Sequence, residues 1–228
     1  MNQLFLGINT AIEPYGFCLA NQNNPLTELT SQHPRKFTET FIETLNQTCQ
    51  QHQQTLHNIT AIGVIKGPGS YTGLRLGVSY AKSLALSLNC PVYGFSSLEI
   101  IAKQLPILDK VIAVAISSKK NECYLQLFNH INNTTHSVSH PINLNFNQFK
   151  TLLTTFKSPL TIVGTIPTEF SDYCTTQPHI SFTNQIISSK TITTLTKQNI
   201  DLTISSDFAK LKPYYFHQPK IGKTKKMF

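Results

Sequence analysis

Residues 66–88 read KGPGSYTGLRLGVSYAKSLALSL, and this stretch decides the fold. Before it, Ile59 to Ile65 is apolar and β-branched, the composition of a buried strand. The strand runs into Gly67, Pro68 and Gly69, with Gly73 close behind, a density of glycine that forces a tight turn and close backbone approach. Ser70 or Thr72 can cap the helix that follows. From there Leu74, Val78, Ala81, Ala85 and Leu88 step by three and four, marking one buried face of a helix of about four turns. A second row, Gly73, Gly77, Ala81 and Ala85, carries almost no side-chain volume, so another helix could approach nearer than the usual ~8–10 Å. Glycine inside a helix costs roughly 1 kcal/mol against alanine, so Gly77 implies a packing reason.

Working outward, Leu4 to Ile8 reads as a strand, joined through the turn Asn9 to Gly16 to a second strand around Phe17, Leu19 and Ala20. Asn21 to Pro34 is polar and reads as a loop. Phe37, Phe41, Ile42, Leu45 and Cys49 then mark the face of a helix. Beyond the central helix comes a short strand, Val92 to Phe95, and Ser96-Ser97-Leu98-Glu99 fits a capping box. After Pro106 the pattern begins again. Val111 to Ile116 and Cys123 to Phe128 are strands, NHINNTTHS is a hairpin tip leading to a third, and Asn145 caps a helix over Phe146 to Phe156. Leu160 to Val163 is a strand and Ile186 to Lys197 a helix, followed by the aromatic, extended LKPYYFHQP. Strands alternating with helices indicate α/β halves with mixed, largely parallel sheets flanked by helices. Two such halves, residues 1–102 and 103–228, are expected, with a boundary near 102–108.

Composition narrows the function classes. The 228 residues are 40% hydrophobic, which fits a soluble globular protein, and only 13% charged. The net charge of +8 is uneven: residues 1–102 hold five basic and five acidic side chains, and 103–228 hold fourteen and six. The last nineteen residues contain six lysines, including Lys220, Lys223, Lys225 and Lys226. Such a tail attracts polyanions by counterion release or is a solvated terminus. No eighteen-residue apolar run and no basic leader with a cleavage site occur, so neither a membrane span nor a signal peptide is expected, and the cytoplasm is the expected compartment. Five widely spaced cysteines without a CxxC pair read as buried free thiols.

A glycine loop before a helix can bind phosphate. Here the Walker spacing fails, because Gly73 is followed by Leu74-Arg75, and the GxGxxxG spacing is not a dinucleotide fingerprint. Lys66 and Arg75 could steady an anion, but close backbone packing explains the glycines more simply. His136 and His140 have HxxxH spacing without the glutamate of a metalloprotease site. Ser96, Ser97, Ser117 and Ser118 are not in a GxSxG elbow, and no carboxylates pair. No metal or other cofactor is expected.

Together, GPGSYTGLRLGVSYAKSLAL, the opening LGINTA, PVYGFSSLE, NECYLQLF and the terminal PYYF resemble the bacterial TsaB (YeaZ) family, closely over the first 102 residues and thinly beyond. The resemblance implies a duplicated actin/sugar-kinase-like (ASKHA) fold. It also implies a non-catalytic dimerisation subunit of the complex that places a threonylcarbamoyl group on tRNA adenosine beside the anticodon. The expected partners are a TsaD-like catalytic paralogue and a TsaE-like ATPase, with tRNA met only through the complex; whether the isolated chain forms a homodimer stays open. Contact with the paralogue is expected from Phe37, Phe41 and Leu45 on one helix and Gly73, Leu74, Arg75, Gly77, Val78 and Ala81 on the other. Asn9 stands where the superfold has a phosphate-holding Asp, and Ser97 and Ile101 stand where the catalytic paralogue has metal-binding histidines. Phe37, Ser117 and His217 depart further, from His, Asp and Arg. The alternative is an active ATPase, kinase or peptidase of the same superfold.

Overall fold

The structure is a computed structural model that describes residues 3–106, 110–131, 134–200 and 210–216. His217 and the four tail lysines lie outside the described residues. The first half contains β1 (Leu4–Asn9), β2 (Tyr15–Ala20), β3 (Pro25–Ser31), α1 (Pro34–Gln51), β4 (Ile59–Gly67), α2 (Tyr71–Leu88), β5 (Val92–Ser96) and α3 (Ser97–Gln104). Its sheet has the order β3-β2-β1-β4-β5, with β1 antiparallel to β2 and parallel to β4. The second half contains β6 (Val111–Ser117), β7 (Glu122–Ile131), β8 (Thr134–Ser137), β9 (Ile142–Asn145), α4 (Phe146–Thr154), β10 (Leu160–Thr165), α5 (Thr168–Thr175), β11 (Ile180–Asn184) and α6 (Ser189–Ile200). Its sheet runs β8-β7-β6-β10-β11, with β9 added beside β7. Strand for strand this is the first sheet again, with the same antiparallel and parallel senses. The fold is a duplicated α/β fold, although no motif repeats in the sequence.

Each half is assembled around strands buried on both faces. All six residues of β1 are buried, as helices covering both sides of a sheet require. On one side, α1 lays Phe37, Phe41, Leu45 and Cys49 onto β2 and α2. Phe41 meets Phe17 edge-on at 5.7 Å and stacks on Tyr80 at 5.0 Å. Burying a side chain of this size contributes roughly 1.5–3 kcal/mol. On the other side α3 and α6 fill the space between the two sheets, where Leu98, Ile101, Ile192 and Leu195 share a core with Ile112 and Val114. Helix α6 comes from the second half yet packs on β1 and β4. A Cβ on Gly7 would meet Ser189 O at 2.6 Å, and one on Gly63 would collide with Thr196, so these strand glycines admit the helix.

Several expectations change. The stretch read as a loop contains β3, an edge strand whose side chains are half-buried or exposed, so it lacks apolar alternation and is held by backbone pairing to β2. The expected hairpin tip includes β8 itself. Ser70, not Thr72, caps α2, accepting from Gly73 N at 3.3 Å. At α3 only half the capping box forms: Ser96 Oγ accepts from Glu99 N at 3.5 Å, while the Glu99 carboxylate turns to Lys103 at 2.8 Å.

All five cysteines are buried and unpaired. Burial raises their thiols from the ordinary 9.0, to about 11 for Cys90 and Cys174 and about 12 for Cys123. The native chain at pH 8 should therefore resist iodoacetamide, whereas the unfolded chain should take five labels by mass. Because the folded pKa values are raised, the unfolded state releases protons first. Stability should be intact below pH 9 and fall as pH rises towards 11 to 12.

Candidate functional site

The end of β1, its turn into β2 and the glycine loop before α2 meet at one place. Thr10 Oγ1 donates to Gly73 O at 2.6 Å, and Ser70 N donates to Ala11 O at 2.9 Å. A Cβ on Gly73 would run into the Thr10 carbonyl, one on Gly77 into the Thr10 hydroxyl, and one on Gly69 would lie 2.8 Å from Ala11 O. Gly73 and Gly77 of the small row on α2 thus pack against the chain's own β1–β2 turn, where the spacing suggests a second helix.

Asn9 is fully buried and its amide is taken up inside that turn. Nδ2 donates to Ile12 O and Pro14 O, both at 2.9 Å, and Oδ1 accepts from Ala11 N and Ile12 N, both at 3.2 Å. An aspartate could accept the two amide protons but could not make the two donations. Ser97 donates to Pro68 O at 2.5 Å, Ile101 is buried in the core between the sheets, and Ser117 donates to Thr165 O at 3.2 Å. His136 lies on β8 with Nε2 2.6 Å from Thr134 Oγ1. Among the described residues no group of three His, Cys, Asp or Glu side chains comes together.

Of the nine residues expected to contact a paralogue, only Arg75 is exposed, its guanidinium 5.5 Å above the Tyr71 ring. Phe37, Phe41, Leu45, Gly73, Leu74, Gly77, Val78 and Ala81 are buried in the chain's own cores. The apolar period that makes them conspicuous in the sequence is the period that turns them inward. The outer stripe of α2 is Tyr71, Arg75, Ser79, Ser83 and Leu86, and α1 presents Arg35, Glu39 and Ile42. Leu86 is 73% exposed and Ile42 42%. A groove of about 470 Å³ is lined by Thr10, Tyr15, Arg35, Thr38, Leu76 and Tyr80. Arg35 and Glu39 pair at 3.7 Å, but both are so exposed that the pair adds little.

The family described as TsaD, tRNA N6-adenosine threonylcarbamoyltransferase, matches residues 26–198. Relatives include the tRNA threonylcarbamoyladenosine biosynthesis protein TsaB of Bacillus subtilis, 28% identical over 127 residues, which are 56% of each chain. TsaB of Escherichia coli is 33% identical over 100 residues, 43% of this chain and 42% of that one. The chain belongs to the TsaD family, and over about half its length it is similar to proteins named TsaB. The matched segments span little more than half the length of these relatives or less. Among solved structures, YeaZ from Pseudomonas aeruginosa superimposes with a TM-score of 0.73 at 16% identity, covering 93% of this chain and 99% of that one, a likeness of fold.

Gly77→Leu should therefore lower the stability of the free chain, not merely its association. The added side chain meets Thr10, and overpacking of this kind costs about 1–3 kcal/mol. Thermal unfolding should fall by roughly 2–12 °C for a chain of this size; an unchanged midpoint would place the seam outside the fold.

Proposed function

We propose that this chain acts in forming threonylcarbamoyladenosine on tRNA, as a non-catalytic subunit that holds a TsaD-like paralogue in the cytoplasm. The observation that carries the reading is Asn9. In this superfold charge developing in the reaction needs fixed cations or donors, and the residue that should hold metal-bound phosphate is uncharged, buried and bonded on all four sides within its own turn. Ser97 and Ile101, at the positions of the paralogue's histidines, offer a hydroxyl bonded to backbone and an alkyl group. Neither suits a transition metal. Membership of the TsaD family and the relatives' name, a tRNA threonylcarbamoyladenosine biosynthesis protein, support the reaction.

The docking face in this reading is the outer surface of α1 and α2, with Ile42 and Leu86 as apolar anchors and Arg35, Glu39 and Arg75 around them. The buried residues Phe37, Phe41 and Leu45 contribute by holding α1 in place. Two helices from each partner would give an interface near the standard ~1,600 Å².

Reconstitution tests the proposal. The chain with ATP, magnesium and a transition metal should neither hydrolyse nucleotide nor modify tRNA. With TsaD, TsaE and the threonylcarbamoyl donor, modified tRNA should form, and omission of the chain should abolish it. Ile42→Glu with Leu86→Glu should weaken association with TsaD by at least about tenfold, since each desolvates a charge at the interface, and leave the fold of the free chain unchanged. Turnover by the chain alone would favour the enzyme reading, and undiminished association of the double variant would move the interface elsewhere.

A further inference from the structure

A second cavity lies away from Asn9. It lies between the halves, has a volume of about 600 Å³ and is walled by the end of β4, the start of α3, β7 and β8, and the segment 212–214. That volume is in the range of small-molecule sites. The 212–214 wall is fixed by backbone contact: Tyr214 N donates to Lys66 O at 2.6 Å, and Gly67, at φ +130°, leaves room for the Tyr214 carbonyl where a Cβ would collide. Leu211 is buried against Gly94, and its carbonyl accepts from Lys82 Nζ at 3.3 Å.

The charges on this wall do not balance. Lys66 and Lys212 line the cavity, and the carboxylate on its wall, Glu99, is paired with Lys103 at 2.8 Å. Among the described residues neither Lys66 nor Lys212 has an ion-pair partner. Lys66 is half-buried, its stem packed over Gly94, where a Cβ would come within 3.0 Å of Cδ, and the residue lines the cavity. Gln126 and Ser137 also line the cavity: Gln126 Nε2 donates to Ser137 Oγ at 2.7 Å, and that hydroxyl donates to Ser139 O at 2.9 Å. The half-exposed Tyr214 ring supplies an aromatic surface at the rim.

We propose that this cavity binds a small organic phosphate monoester, its phosphate between Lys66 and Lys212 and its body against Tyr214. The wall offers two ammonium groups and no guanidinium, which suits the compact double charge of a phosphate better than the planar fork of a carboxylate. Asn9, Ser97 and Ser117 do not line it, so the site is distinct from the positions where the superfold holds phosphates, and the inference is independent of the role proposed above.

Calorimetric titration of the full chain at low salt with AMP, inorganic phosphate and succinate tests it. AMP and phosphate should bind saturably and compete, weakening as salt rises, and succinate should bind at least about tenfold more weakly. Lys66→Met and Lys212→Gln should each weaken AMP by about tenfold or more, the loss expected for one charged hydrogen bond. Lys212 is exposed, so its variant decides the matter if Lys66→Met fails to fold. Absence of saturable AMP and phosphate binding, succinate binding equal to phosphate, or AMP affinity unchanged in Lys212→Gln would overturn the proposal.

Discussion

The structure depends on one close contact, the seating of Thr10 and Ala11 on the glycine-lined start of α2. Three glycines, 69, 73 and 77, face this turn, and in each case a Cβ would enter the space of its backbone or of the Thr10 hydroxyl. The approach brings the Thr10 hydroxyl to Gly73 O and the Ser70 amide to Ala11 O, so buried polar groups are satisfied as the space closes. Glycine in a helix is unfavourable by itself. Here the loss is offset by an arrangement that joins β1, β4 and α2, and Asn9 ties the turn together through four hydrogen bonds within it.

The same contact constrains function. The turn at the end of β1 presents an amide, not a carboxylate, and that amide is bonded within the turn itself. What the first half leaves outward is the polar and sparsely apolar outer face of α1 and α2. What lies between the halves is a cavity with two lysines, framed by an aromatic strap in which Tyr215 packs on Tyr71 at 4.6 Å and Phe216 on Tyr124 at 5.1 Å. The strap touches both halves and joins the glycine loop to the second sheet.

Much of the architecture was legible because buried strands and amphipathic helices have periods. The β1–β2 hairpin, the order around β4, α2 and β5, and the Asn145 cap, which forms a full box with Gln148 at 3.0 Å in both directions, follow from pattern and capping chemistry. β3 was not legible, since an edge strand with little burial leaves no alternation. β9, α5 and β11 were missed because they are short and largely exposed on one side. The candidate site was legible only in part. The glycine row showed that something approaches closely, but spacing alone does not say whether the visitor is a partner helix or the chain's own turn, 63 residues before Gly73. Apolar periodicity likewise found the buried faces of α1 and α2 and passed over the outer faces, which carry no period. The Lys66 and Lys212 cavity joins residues far apart in sequence, and no local signal marks it.

A double-mutant cycle at the seam tests the central claim most directly. Gly77→Ala collides with the Thr10 side chain, whereas Gly73→Ala collides with the Thr10 backbone. Chemical unfolding should therefore show that Thr10→Ala relieves most of the cost of Gly77→Ala, with a coupling of about 0.5–3 kcal/mol, and relieves little of the cost of Gly73→Ala. Additive effects for both pairs would contradict the account, because the glycines would then be answering to something other than this turn.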